Sequence, residues 1–243
     1  MTSSMPARLD DIWVYLSAQP LLWLAATLAA YLLGDWLYRR SGERAAVNAV
    51  AIAIMLLIGL LELTGTGYAQ YFEGAQFVHF MLGPAVVALA VPLYHNRKAI
   101  RQALLPIAAA LAAGALTAVV SALVIAHALG ASSETLASLA PKSATAPIAM
   151  GIAERIGGLP SLTAGLVILT GILGAVFATP LLGAFGIRDP KATGFALGLT
   201  SHGIGTARAF QVGESAGAFA AIALALTGLA LALLAPPLTV LFR

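Results

Sequence analysis

In an otherwise apolar chain, the side chains able to do chemistry gather in two stretches. Residues 139–161 read LAPKSATAPIAMGIAERIGGLPS and residues 192–213 read ATGFALGLTSHGIGTARAFQVG. A strong cation lies near the helix start each stretch offers, Lys142 in the first and Arg208 in the second. Thr145 or Ser143 can cap a half-helix in which Pro147 suits the first turn, and Thr206 can cap a second one after the flexible run Gly203-Ile204-Gly205. A helix start presents unpaired N–H groups and a positive dipole end, so a nearby cation is disfavoured unless an anion lies between them. Arg grips a carboxylate with a bidentate fork and Lys adds a point charge, while Ser143, Thr145, Ser201 and His202 can bond carbonyl or hydroxyl oxygens. The implied ligand is a small organic acid, bound by Lys142, Ser143, Thr145, Pro147, Ser201, His202, Gly203, Gly205, Thr206 and Arg208.

Other readings of these residues stay open. Lys142 and Arg208 can snorkel to an interface, and His202 can carry a proton or serve only as a hydrogen-bonded structural residue. Coupling to protons or to sodium is equally compatible, and no cofactor is expected. The chain has no cysteine, which excludes disulfides and thiolate chemistry. It also lacks a nucleophile elbow, a phosphate loop, paired intramembrane aspartates and metal-ligand spacing of its histidines, so an enzyme is not expected.

The elements that must position these residues are membrane helices. With 60% apolar and 9% charged residues, the chain carries several runs of about 20 residues with few charges, enough for a hydrocarbon core of about 30 Å. Spans are expected over Leu16 to Tyr38, Ala45 to Leu63, Phe77 to Tyr94, Leu104 to Leu129, Leu162 to Leu182 and Ala216 to Leu241. Thr64 to Gln76 reads as a loop between the second and third. The two polar stretches cannot be plain spans, because Pro removes backbone donors and Gly weakens a helix. Non-helical backbone survives at membrane depth only where protein buries it or where it lines a watery cavity.

Basic clusters at Arg39 to Arg44 and at Arg97 to Arg101 are expected on the cytoplasmic side, which leaves the N-terminus outside. Putting the loop Arg188 to Lys191 on that side as well requires the first polar stretch to dip in and return. A shift of about 57 residues lays Leu82-Gly83-Pro84 over Leu139-Ala140-Pro141, a weak internal repeat of the kind that accompanies broken helices in transporters. The fold class is thus an all-α polytopic membrane protein with two broken or re-entrant segments, and residues 1–243 are expected to form one transmembrane domain. The net charge of +3 needs no nucleic-acid partner.

The runs LGPAVVALAVPLY, LAPKSATAPIAMGIAERIGGLPSLTA and GLTSHGIGTARAF resemble the signature stretches of the LrgB/CidB family, and the resemblance extends from about Trp23 to the end. That family is described as antiholin-like, regulating murein hydrolase export with a small LrgA/CidA-type membrane protein. Its plastid relatives are similar to glycolate/glycerate translocators, and bacterial members are linked to pyruvate movement. The resemblance implies a small-monocarboxylate carrier in the bacterial cytoplasmic (inner) membrane, with an antiholin-like regulator of lysis as the alternative. No LrgA-like stretch is fused to this chain, so that partner would be a separate protein. Further copies of the chain, as a homo-oligomer, and the lipid bilayer are the other expected partners.

Overall fold

The computed structural model describes residues 20–44, 46–81, 84 and 87–242. Helices α1 Pro20–Arg40, α2 Ala49–Thr64, α3 Tyr68–Phe80, α4 Ala90–His95, α5 Arg97–Gln102, α6 Leu104–Ala128, α7 Ser133–Leu139, α8 Ala146–Arg155, α9 Pro160–Ala184, α10 Pro190–Val212 and α11 Glu214–Val240 follow in order. Four of them, α1, α6, α9 and α11, are long and apolar enough to cross a membrane, and α2 is a shorter apolar helix. The expected polytopic helical architecture is present. The chain divides into two compact units, Met1–Ala88 and Leu89–Arg243.

In the first unit α1 packs on α2 and α3. Asn48 caps α2 by accepting the Ala51 amide at 2.9 Å, and Gly65, at φ +63, closes it in a left-handed conformation that glycine adopts without a Cβ penalty. The stretch Thr64 to Gln76, expected as a loop, is instead mostly helix α3. Its cause is tertiary. Trp23, fully buried, meets Tyr71 edge to face at 6.0 Å, Thr27 bonds the Tyr71 hydroxyl at 3.1 Å, and Gly74 lies directly against the Pro20 carbonyl. The expected third span is also corrected: Phe77 to Tyr94 is not one helix, since α3 ends at Phe80 and a separate α4 starts at Ala90. Pro92 then falls in the first turn of α4, where its missing N–H leaves no carbonyl unpaired. Leu82, Gly83, Ala85 and Val86, which carry part of the proposed repeat, lie outside the described residues. The spans that follow each half of the repeat, α6 and α9, are both 25 residues long.

The second unit is built on α9, α10 and α11. Helix α10 lies close on α11 because Gly194 and Gly198, one turn apart, leave room for the carbonyls of Ala216 and Ala220. Small residues at this spacing let two backbones approach where lipid offers no hydrophobic drive for association. On its other side α11 packs on α6, and Ile107 of α6, Phe195 and Leu199 of α10 and Phe219 of α11 share one apolar cluster. Ala99, Ile100 and Ala103 pack against that cluster too, so the basic α5 and the start of α10 lie at the same end of the unit. The loop Arg97 to Arg101 and the loop Arg188 to Lys191 therefore fall at one end of this unit.

Candidate functional site: two broken segments on one helix

The first broken segment leaves α7 at Leu139, where Pro141 cannot continue the helix, and passes through a turn held by Lys142 N–H to Leu139 O at 3.1 Å and Ala144 N–H to Pro141 O at 2.9 Å. Helix α8 then begins. Thr145 holds its N-cap position with extended backbone, φ −63 and ψ 149, and Pro147 falls in the first turn as its fixed φ favours. The expected side-chain cap is absent: Thr145 makes no capping hydrogen bond. After α8, Gly157 at φ +79 reverses the chain and Gly158 N–H closes on Ala153 O at 2.7 Å.

The segment then returns to where it started. Leu159 N–H donates to Ser138 Oγ at 2.8 Å, and Gly158 sits so near the Ser138 backbone that a Cβ would lie 2.7 Å from its nitrogen. With α7 ending at Leu139, the Ser138 carbonyl lacks its helical partner, and Thr163 Oγ1 of α9 supplies one at 3.0 Å. The stretch from Ser138 to Leu159 is thus re-entrant: its two ends are joined, and α9 leaves from the side at which α7 arrived.

The second broken segment lies inside α10. Ser201, at φ −128 and ψ 16, and His202, at φ 42 and ψ −130, leave helical geometry while the chain on both sides keeps it. A positive φ in a residue with a Cβ is strained, and the surroundings hold it in place. His202 Nε2 donates to the Val167 carbonyl of α9 at 2.9 Å, which puts a proton on that nitrogen, because a carbonyl only accepts. Thr206 Oγ1 donates to His202 O at 2.8 Å, and Thr200 Oγ1 lies 3.1 Å from Ser201 Oγ. Gly205 fits directly under the Leu197 carbonyl, with Ser201 Cβ 2.6 Å from where its own Cβ would be.

Two expectations for this segment change. The half-helix starts at Gly203, immediately after the break, and Thr206 is not its cap but sits inside it, bonded back to His202. Arg208 consequently lies six residues past His202, about 9 Å at helical rise, half-buried and with Nη1 donating to Gln211 Oε1 at 3.1 Å. Gly203 is exposed, and a Cβ there would meet nothing within 4 Å.

Helix α9 is what the two segments share. Its buried stripe Thr163, Val167, Gly171 and Ala175 repeats every four residues, and it carries the contact to Ser138 at Thr163 and the contact to His202 at Val167, one turn apart. A Cβ at Gly171 would lie 2.7 Å from the His202 ring, and one at Gly174 would lie 2.9 Å from Ser201 Cβ. These α9 residues and Ser138 were missed by sequence reasoning; the glycine pair three residues apart in an otherwise bulky apolar span was the available signal. The expected site residues fall into groups: Ser201, His202, Gly205 and Thr206 are clustered and buried, Ser143 is buried beside half-buried Lys142 and Thr145, and Pro147 is exposed. Pro147 lines a separate cavity of about 290 Å³ with Ile148, Arg155, Ala232 and Pro236.

Three buried hydroxyls, those of Ser143, Thr179 and Thr227, have no hydrogen-bond partner among the described residues, and Ser143 is the one that lies in a broken segment. Ser143 is 2% exposed, and its Oγ has no hydrogen-bond partner among the described residues, whereas the polar side chains of the second break are bonded to protein. Among those residues no group of three or more His, Asp or Glu is placed to hold a metal ion.

The model of the LrgB-like family matches residues 27–241, including both broken segments. The chain belongs to the LrgB-like family. Antiholin-like protein LrgB of Bacillus subtilis (strain 168) is 30% identical over 217 residues, covering 89% of this chain and 94% of that protein. Uncharacterized protein YwbG of the same organism is 34% identical over 206 residues, covering 85% and 91%. An uncharacterized protein of Haemophilus influenzae is 30% identical over 208 residues, covering 84% and 90%. No solved structure matches. The LrgB-like chain is thus a multi-pass helical membrane protein whose relatives share its length as well as its pattern.

Proposed function

We propose that this LrgB-like chain carries small monocarboxylates of the glycolate, glycerate or pyruvate class across the bacterial cytoplasmic membrane, with the carboxylate held at the start of α8. The observation that carries this reading is Ser143. A buried hydroxyl left without a partner costs about 1–3 kcal/mol, and it lies beside a helix start that no side chain caps. A carboxylate there accepts from Ser143 and from the free first-turn amides, while Lys142 offsets its charge. Arg208 supplies the second cation. Joining Ser138 to Leu159 also gives the re-entrant geometry in which non-helical backbone reaches membrane depth. Oligomerisation with further copies, coupling to protons or sodium, and a separate LrgA/CidA-type partner belong to the same proposal.

A second reading is favoured by the name of the Bacillus subtilis relative: an antiholin-like regulator of murein hydrolase export and lysis. Self-association of apolar helices would suffice for that role, and it leaves the unpartnered Ser143 hydroxyl without a use.

The test is uptake of labelled pyruvate, glycolate and glycerate into proteoliposomes of the purified chain. Lys142→Gln and Arg208→Gln should each lower apparent affinity by roughly one to two orders of magnitude, the equivalent of a charge-assisted bond of about 1.5–3 kcal/mol, and Ser143→Ala by about tenfold. Arg188→Gln, at an exposed loop position, should leave uptake unchanged. Absence of uptake of all three acids by folded parent protein sinks the carrier reading and leaves the regulator.

A further inference from the structure

Helices α6 and α10 enclose an apolar groove of about 540 Å³ whose lining includes neither Ser143 nor His202. Ala103, Pro106, Ala110 and Gly114 form one wall and Ala192, Ala196 and Thr200 the other, with Phe195 and Phe219 beneath. Polar groups are confined to its ends, Asp189 and Lys191 at one and Thr200 at the other. The carboxylate of Asp189 is turned to the helix start, where Oδ1 accepts the Lys191 amide at 2.7 Å. The Lys191 ammonium lies over the Phe219 ring at 5.9 Å, at the mouth of the groove. Exposed Lys98 and Arg101 of α5 and Arg188 are gathered at the same end of the unit, since Ala99, Ile100 and Ala103 pack on the cluster that contains Phe195 and Phe219.

The length of the groove is informative. From Lys191 to Thr200 the helical rise amounts to about 14 Å, close to half of a hydrocarbon core of about 30 Å. It therefore has a basic mouth, one leaflet of apolar depth, and a floor beside the break at Ser201. We propose that this groove is a binding site for an anionic glycerophospholipid, with one acyl chain between α6 and α10 and the phosphate against Lys191 and the neighbouring basic residues. The chemistry is complementary at both ends: a cationic cluster for the headgroup phosphate, and an alanine, glycine and phenylalanine lining for the chain. Because Gly114 accommodates the Leu199 side chain two residues before Ser201, the bound chain would brace the half of α10 that leads into the break.

Native mass spectrometry of the purified full chain in detergent tests this, with phosphatidylglycerol and phosphatidylcholine of identical acyl chains added in turn. The parent should retain phosphatidylglycerol more tightly. Lys191→Gln should reduce that preference about fivefold, the equivalent of about 1 kcal/mol per basic residue at an anionic headgroup, without changing retention of phosphatidylcholine. Ala110→Phe, which fills the groove, should weaken both lipids about tenfold. Ala196→Phe, which fills it from the opposite wall, stands in should Ala110→Phe not fold. Equal retention of the two lipids by the parent, or unchanged retention by a folded groove-filled variant, overturns the assignment. A groove-filled variant that changes the oligomeric state while keeping its lipid also overturns it, since the occupant would then be another copy of the chain.

Discussion

The two broken segments solve the same backbone problem in opposite ways. In the first, Pro141 within the turn and Pro147 after it spread the interruption from Ala140 to Thr145, and the helix that follows begins without a side-chain cap. In the second, the interruption is confined to Ser201 and His202, and the gap is filled by their own side chains against glycines of α9. His202 is spent on the Val167 carbonyl and Thr206 on His202 itself, while Ser143 bonds to nothing in the described protein. A polar group satisfied by its own fold stabilises that fold. One left unsatisfied in a buried place lowers stability. The comparison separates a break closed by its own side chains from one that leaves a buried hydroxyl unpaired, although both carry neighbouring Ser and Thr.

The most damaging change to the comparison should be Gly205→Val, which drives a branched side chain into the Leu197 carbonyl and Ser201. Overpacking against backbone cannot relax by a rotamer change, and a loss of about 3 kcal/mol, read as a lowered melting temperature in detergent, is expected. A variant that melts with the parent would mean that the second break is not closed as described.

Next in size is His202→Ala, which deletes the bond to Val167 and should destabilise by about 1–3 kcal/mol. Ser143→Ala should do the reverse, leaving stability unchanged or raising it by up to about 1 kcal/mol, because the hydroxyl it removes has no protein partner to lose. Measuring both melting temperatures in the absence of carboxylate sharpens the contrast, and a Ser143→Ala protein as unstable as His202→Ala would erase it.

The smallest effect belongs to Gly203→Ala. This position faces open space at the start of the second half-helix, so the exchange should gain up to about 1 kcal/mol of helix propensity. A large loss there would show that the glycine is needed for movement of the break.

Composition and breaker residues made much of this fold legible. Long uncharged runs can only be membrane helices, and Pro141, Pro147 and Gly157 interrupt a helix wherever it is placed, because the missing N–H and the missing Cβ are local properties. The same logic located α6, α9 and α11 within a few residues and marked the first break. It failed where neighbours decide. Tyr68–Phe80 is helical with Trp23 and Thr27 packed on Tyr71, and the second half-helix begins at Gly203 with Thr206 inside it rather than at its cap. The break itself falls at Ser201–His202, immediately beside the Gly203-Ile204-Gly205 run, with the Val167 carbonyl and the space over Gly171 and Gly174 holding the strained conformation. Glycine permits a break but does not place one; a buried hydrogen bond between distant residues does. Which polar side chains are already partnered is for the same reason a tertiary property: Ser143 and His202 are both polar residues at a break, and the Val167 carbonyl of α9 meets His202 while no described group meets the Ser143 hydroxyl.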